Sequence, residues 1–328
     1  MKLATYQDGS RDGQLVVVSR DLATAHYATG VASRLQQVLD DWSFLSPQLQ
    51  DLSDALNQGR ARHSFAFDPR QCLAPLPRAY QVVEGQAYPS LLQPPEAGAS
   101  PVLAPATGDH FAGACDPLRC SSEALGMDFC AGLAAITADV PQGVSPPQAL
   151  DGVRLLVLTN SVRLRSLEAA EHAKGAGWVQ SAPTLAFSPV AVTLDELGES
   201  WDKGRVHLPL HTSWNGRKVG MCDAGAEMQF HFGQLIAHLC ATRAVRAGSI
   251  VGSGPVANVG NGKGSEGRAK AQWPNGYHSI AEKRAMETQL SGQPSTGYLQ
   301  FGDTVRIEMK GQDGLSLFGA IDQEVAPR

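Results

Sequence analysis

The apolar positions of this chain follow two rhythms. Over residues 1–20 short apolar runs flank the turn Asp8-Gly9-Ser10, and Leu15-Val-Val-Val18 marks the second of two expected strands. Between residues 31 and 42 the rhythm lengthens: Val31, Leu35, Val38, Leu39 and Trp42 recur at helix spacing. Ser46-Pro47 then opens a second short helix, with Leu49, Leu52 and Leu56 on one face and Gly59 as its stop. Further on, Arg154-Leu-Leu-Val-Leu158, Val206-His-Leu-Pro-Leu-His211 and Thr304-Val-Arg-Ile-Glu-Met309 read as strands. Residues 228–245 carry Phe230, Gln234, Leu235, His238 and Leu239 in a helical period that Gly248 ends.

Proline and glycine divide the chain. Ala74-Pro-Leu-Pro77 forces an extended connector, so residues 1–73 form a small N-terminal module and residues 74–328 a large domain. Residues 84–108 are rich in Pro, Gly, Ala and Ser and lack periodicity, as a lid or mobile loop would. Residues 259–277 form a polar, Gly-rich stretch that reads as an exposed loop. The 34 glycines and 20 prolines are scattered, which calls for many turns between short strands, and 43% apolar residues suffice for a substantial core. The class expected is α+β, mainly β.

Charge and cysteine content narrow the function classes. A net charge of −5 with no dense basic run argues against nucleic acid and against an anionic membrane as partner. No apolar run is long enough to span a bilayer and the first residues lack a secretory pattern, so a cytoplasmic location is expected. The six cysteines lie at irregular spacing without a Cys-x-x-Cys pair, and free thiols are the expectation.

From Asp109 onward the chain resembles the fumarylacetoacetate hydrolase family. The segments that carry the resemblance are Gly113-Ala-Cys-Asp-Pro117, Asp139-Val-Pro-Gln-Gly143, Ala186-Phe-Ser-Pro-Val-Ala-Val-Thr193, Asp195-Glu-Leu-Gly198, Gly233-Gln-Leu-Ile-Ala-His238, Ala247-Gly-Ser-Ile-Val-Gly-Ser-Gly254, Ala281-Glu-Lys-Arg284 and Gly302-Asp-Thr-Val-Arg-Ile-Glu308. The resemblance implies a mixed β-sandwich or β-roll catalytic-type domain beside a small α/β module, and a homodimer formed through the large domain.

It also implies a metal site whose ligands are missing here. In the family pattern one strand reads Asp-Phe-Glu-x-Glu and the next ends in Asn-Asp, and those carboxylates hold a divalent cation. This chain has Asp128-Phe-Cys-Ala-Gly132 and Asn160-Ser161, so Cys130, Gly132 and Ser161 stand at the ligand positions. One of the usual four carboxylates remains, Asp109. Mg²⁺ and Ca²⁺ want several oxygen ligands, and a thiol at Cys130 is too soft for them; the expectation is that the family Mg²⁺/Ca²⁺ site is lost and no cofactor is bound. The losses extend further: Gln180-Ser-Ala-Pro183 stands where relatives have Gln-Ser-Lys-Pro, Gly254-Pro-Val-Ala-Asn258 where they have Gly-Thr-Val-Ser-Asn, and Ala104-Pro-Ala-Thr-Gly-Asp109 where they have Tyr-Gln-Gly-Gly-Ser-Asp.

The groups left in the pocket by homology are Glu282, His278 and Gln180 as candidate catalytic residues, with Asp109, His110, Cys130 and Ser161 as candidate pocket residues. Relatives use a glutamate matching Glu282 to activate water, and His278 beside it suggests a His–Glu general base. Each has a plainer reading: a turn acceptor for Asp109, a structural amide for Gln180, a buried filler for Cys130, loop surface for His110 and His278, an inert strand end for Ser161. Three functions follow. One is an enzyme that acts without a metal on a keto/enol or 1,3-dicarbonyl compound by C–C hydrolysis, tautomerisation, decarboxylation or cyclisation. A second is a pseudoenzyme that binds a metabolite or forms a heterodimer with an intact paralogue. A third is a hydrolase whose cation site is rebuilt from Asp109 with Glu123 or Asp128.

Overall fold

Two-sided burial decides the architecture. The run Ala131-Gly-Leu-Ala-Ala-Ile-Thr137 is apolar at nearly every position, not at alternate ones, as befits a central strand covered on both faces. In the computed structural model, residues 1–92, 100–106, 108, 111–175, 177, 179–258 and 275–328 are described.

In chain order the strands are β1 (Lys2–Tyr6), β2 (Gln14–Val18), β3 (Thr24–Tyr27), β4 (Phe65–Ala66), β5 (Val82–Gly85), β6 (Leu103–Pro105), β7 (Phe111–Ala112), β8 (Leu118–Cys120), β9 (Met127–Asp128), β10 (Ala131–Thr137), β11 (Val153–Leu164), β12 (Thr184–Phe187), β13 (Val190–Thr193), β14 (Trp201–Asp202), β15 (Arg205–Val206), β16 (Pro209–Trp214), β17 (Arg217–Asp223), β18 (Ile250–Pro255), β19 (Thr304–Lys310) and β20 (Ser316–Pro327). The helices are α1 (Leu35–Asp40), α2 (Trp42–Asn57), α3 (Pro146–Leu150), α4 (Arg165–Ala173), α5 (Phe232–Cys240) and α6 (Ile280–Ser291). A large sheet runs β4-β3-β2-β1-β13-β11-β10-β18-β5-β6, with β12, β7 and β9 attached; a second sheet runs β17-β16-β19-β20-β8, and β14 pairs with β15. The fold is α+β and mainly β.

Alternate residues of β10 and β11 enter separate cores. Ala134, Ile136, Leu155 and Val157 pack with Leu35, Val38, Leu39, Leu49 and Leu56 of α1 and α2. Leu133, Ala135, Leu156 and Leu158 pack with Leu210, Ile307, Met309 and Ile321 of the second sheet and Leu235 of α5. The large sheet is thus the middle layer between helices and a second sheet.

Several sequence expectations change. The N-terminal strands are continuous with the large sheet, because β1 pairs with β13 from Lys2↔Val192 to Ala4↔Val190. Pro47 opens no helix; it is an interior residue of α2, where it removes one donor from the helical ladder. Residues 82–85 and 103–105 pair as β5 and β6, so the segment expected to be a lid begins and ends in the sheet; residues 93–99 and 107 lie outside the described residues. So do residues 259–274 of the expected Gly-rich loop. β11 continues six residues past the predicted strand end, to Leu164, so Ser161 closes no strand.

Candidate functional site

The C-terminal end of β11 sets one wall of a cavity. Side chains at every second strand position share a face, and Ser161, Arg163 and then Arg165, the first residue of α4, all line it. Cys130 comes from the segment before β10, Ser253 and Gly254 from β18, Glu84 from β5, Glu168 and His172 from α4, and Glu282 from the first turn of α6. The cavity holds about 380 Å³, enough for a small organic acid.

Behind this wall lies a closed polar corner. Asp128 is fully buried and accepts from Ile280 N at 2.6 Å, Ala281 N at 3.0 Å and the Ser279 hydroxyl at 2.9 Å, which places its charge on the N-terminus of α6. Arg165 Nε donates to the same carboxylate at 2.9 Å, Nη1 to Glu168 at 2.7 Å, and Nη2 to Ser279 Oγ and Cys130 Sγ, both at 3.3 Å. Every nitrogen of that guanidinium has a partner, so Arg165 is framework. Burial pushes the Cys130 thiol up to about 12, with Asp128 adding to the effect and Arg165 and Arg163 opposing it. Cys130 is a buried thiol, not a nucleophile at neutral pH.

The expected His278–Glu282 pair does not form. The His278 ring is buried among the strands of the second sheet, where Nε2 accepts from Cys222 N at 3.2 Å. That bond fixes the proton on Nδ1, which donates to Thr212 Oγ1 at 2.7 Å. Burial, with a smaller effect of His211, pulls His278 down to about 3, so it stays neutral and structural. Both His278 and Glu282 line the cavity. One Glu282 carboxylate oxygen accepts from the Ser90 hydroxyl and the other from Leu91 N at 2.9 Å, which ties the segment after β5 across the cavity. Burial pushes its carboxyl upward against those two bonds. Gln180 is exposed, lies off the cavity and gives its backbone N–H to Glu171 at 2.7 Å. Asp109 and His110 lie outside the described residues.

Of the metal-ligand positions of the family pattern, Cys130 and Ser161 line this cavity and carry the wrong donors for a hard cation. Cys130 offers a protonated thiol beside a guanidinium, and Ser161 a neutral hydroxyl. Gly132 cannot be replaced by an acid without moving backbone: a Cβ there would stand 2.3 Å from the Gly254 carbonyl oxygen. Asp128 is spent on α6 and Arg165, and the Glu123 carboxylate accepts from Phe301 N at 2.8 Å on the surface. Among the described residues, no three His, Cys, Asp or Glu side chains are grouped to hold a metal ion.

Sequence reasoning passed over Glu84, Arg163, Arg165, Glu168 and His172. The two arginines had a signal: they follow Ser161 at intervals of two, so a strand that continued past residue 158 brings both to the Ser161 face. Glu84 had none, since the parallel pairing of β5 with β18, Glu84 opposite Gly252, is a non-local contact.

The profile described as the fumarylacetoacetate (FAA) hydrolase C-terminal domain matches residues 81–326, and the fumarylacetoacetase N-terminal domain 2 profile matches residues 1–78. No curated protein matches the chain. Among solved structures, a fumarylacetoacetate hydrolase from Exiguobacterium antarcticum is similar with 18% identity and a TM-score of 0.66, covering 100% of both chains. A 2-hydroxyhepta-2,4-diene-1,7-dioate isomerase from Mycobacterium marinum has 18% identity and a TM-score of 0.61, over 100% of this chain and 99% of that one. A maleylpyruvate hydrolase from Sphingobium sp. SYK-6, in complex with manganese(II) ion and pyruvate, has 14% identity and a TM-score of 0.64, over 100% and 99%.

Proposed function

The chain belongs to the fumarylacetoacetate hydrolase family, and we propose that it is an enzyme acting without a divalent metal on a small keto or enol acid, by proton transfer rather than by water attack. The observation that carries this reading is the exchange of charge in the cavity. Neutral side chains stand at Cys130 and Ser161, while Arg163 and Arg165 bring positive charge to the same wall, among the carboxyl groups of Glu84, Glu168 and Glu282.

The chemistry follows from those groups. A keto acid loses a proton from the carbon beside its carbonyl when the resulting enolate oxygen meets a positive group or strong donors in a site that excludes water. Arg163 and Arg165 both stand on the cavity wall, and Arg165 is bound on every side. A buried carboxyl whose affinity for protons is raised suits both removal and return of the proton; Glu84 and Glu282 both have that character. Tautomerisation or isomerisation needs nothing more. Hydrolysis of a C–C bond also needs an activated water, and the glutamate at the position that serves this in relatives has both oxygens bound to Ser90 and Leu91. The solved neighbours carry names of both classes, so the substrate class is taken by analogy and the reaction type from the cavity.

The test is a panel of 2-oxo and 2,4-dioxo acids incubated with chelator-treated protein and followed by proton NMR, which separates tautomer exchange from cleavage. The reading expects accelerated exchange, little cleavage and no gain from added Mg²⁺ or Mn²⁺. No exchange on any member of the panel sinks it. The Glu282 tether favours a second reading, a non-catalytic binding subunit, for which binding without turnover and a heterodimer with an intact paralogue are the marks. A homodimer goes with the enzymatic reading, and sedimentation separates the two assemblies.

A further inference from the structure

One wall of the cavity carries two polar side chains for which the framework has no use. Glu84 on β5 and Ser161 on β11 are 7% and 6% exposed, and both line the cavity. Neither Oε1 of Glu84 nor Oγ of Ser161 has a hydrogen-bond partner. The two groups are neighbours: burial pushes the Glu84 carboxyl upward, opposed by the charge of Arg163 and by the Ser161 hydroxyl, which lies beside it without the geometry of a hydrogen bond. The backbone makes room for the acid. Gly252 stands opposite Glu84 in the pairing of β18 with β5, and a Cβ there would sit 2.4 Å from Glu84 Oε1.

Leaving a buried polar atom unpaired costs free energy, and a leucine at 84 with an alanine at 161 would fill most of the space without that cost. The pair has the capacity of a receptor instead. A carboxyl oxygen accepts, a serine hydroxyl both donates and accepts, and the match for the two together is a hydroxyl that gives its proton to one and takes a bond from the other. Arg163, two residues along the same face of β11, adds positive charge at that end of the cavity.

We infer that Glu84 and Ser161 form a subsite for a hydroxyl group, alcoholic or enolic, on a ligand whose carboxylate lies toward Arg163. This rests on the reading of the cavity as the site of a small keto or enol acid. It adds that the protein favours the enol while Glu84 is ionised, because a keto oxygen has no proton to give a carboxylate. Glu84 and Ser161 are specificity-determining residues here.

The experiment is calorimetric titration of the intact chain with stable mimics that cannot tautomerise: 2-hydroxybenzoate and 3-hydroxybenzoate, each against benzoate. The wild-type protein should bind one hydroxybenzoate roughly tenfold or more tightly than benzoate, the range expected for a hydroxyl placed against buried unpaired groups. Glu84→Leu and Ser161→Ala should each erase that preference while benzoate binding persists, and Glu84→Gln, which keeps an accepting oxygen, should keep part of it. The urea midpoints of Glu84→Leu and Ser161→Ala should equal or exceed that of the wild type. The inference is overturned by equal binding of all three acids, by binding of none, by a preference that survives both variants, or by a lowered midpoint that marks the pair as framework. A preserved preference with no turnover of the keto-acid panel would leave the subsite standing and remove the enzymatic reading.

Discussion

Asp128, behind the cavity wall, and Glu84, which lines it, are both buried carboxyl groups, and the fold treats them in opposite ways. Asp128 accepts two backbone N–H bonds, a serine hydroxyl and a guanidinium. Glu84 keeps an oxygen with no partner beside a serine hydroxyl in the same state. A satisfied buried charge fixes geometry, here the start of α6 against the end of β11, and its removal leaves an uncompensated partner. An unsatisfied one contributes nothing to the fold and is available to a ligand. On the proposed reading, function belongs on the Glu84 side of the cavity, and Asp128 and Arg165 mark the scaffold that holds it.

The sharpest way to break this contrast is to remove the satisfied acid. Asp128→Ala strands Arg165 in the interior and should cost about 3–5 kcal/mol in urea unfolding. A cost near that of a surface substitution would show that the corner is not framework. Next comes restoration of a family carboxylate. Gly132→Glu forces a Cβ against the Gly254 carbonyl and should cost roughly 1–3 kcal/mol without conferring Mg²⁺ binding in a thermal-shift titration. Recovery of Mg²⁺ binding would show that the ligand shell survives in all but one residue.

A pH series sharpens the assignment of His278. Folded, His278 takes up its proton only near pH 3, against an ordinary 6.5, because it is buried. The unfolded chain therefore binds the proton first on acidification. Stability is fully present above pH 6.5 and falls by about 1.4 kcal/mol per pH unit as pH drops toward 3. Between pH 6.5 and 5 the slope should flatten in His278→Gln. That window lies above the range where Glu171, held down to about 2 chiefly by the Ser181 hydroxyl, begins to contribute. An unchanged slope would mean that His278 titrates normally and is open to solvent. The smallest effect belongs to Gln180→Ala, which should alter stability by less than about 0.5 kcal/mol and leave ligand binding as it is, since the side chain is exposed and off the cavity.

How much of this was legible in the sequence differs by residue. The fold class was, because β10 and β11 declare two-sided burial in their apolar runs, and the family motifs extend across the large domain. Cys130, Gly132 and Ser161 were legible as departures from the family pattern, and the structure adds that a Cβ at Gly132 would meet the Gly254 carbonyl. The partnership of His278 with Glu282 was misread because sequence proximity stands in poorly for direction. Both residues line the cavity, but the ring nitrogens of His278 are held by Thr212 and Cys222 of the second sheet while Glu282 is held by Ser90 and Leu91. Glu84 was invisible, since its meaning depends on a strand paired across a long separation in sequence and on a glycine opposite it. Arg163 and Arg165 were within reach of a period-two count that stopped too soon.

On the proposed reading, protein groups and no divalent cation carry the chemistry of this cavity. The most direct test is Mn²⁺ binding by the purified chain, read from the electron paramagnetic resonance signal of the free ion. The account predicts that adding protein leaves the free-ion signal unchanged, with and without a keto acid present. Stoichiometric loss of that signal would contradict it and would return metal-dependent C–C hydrolysis as the leading function.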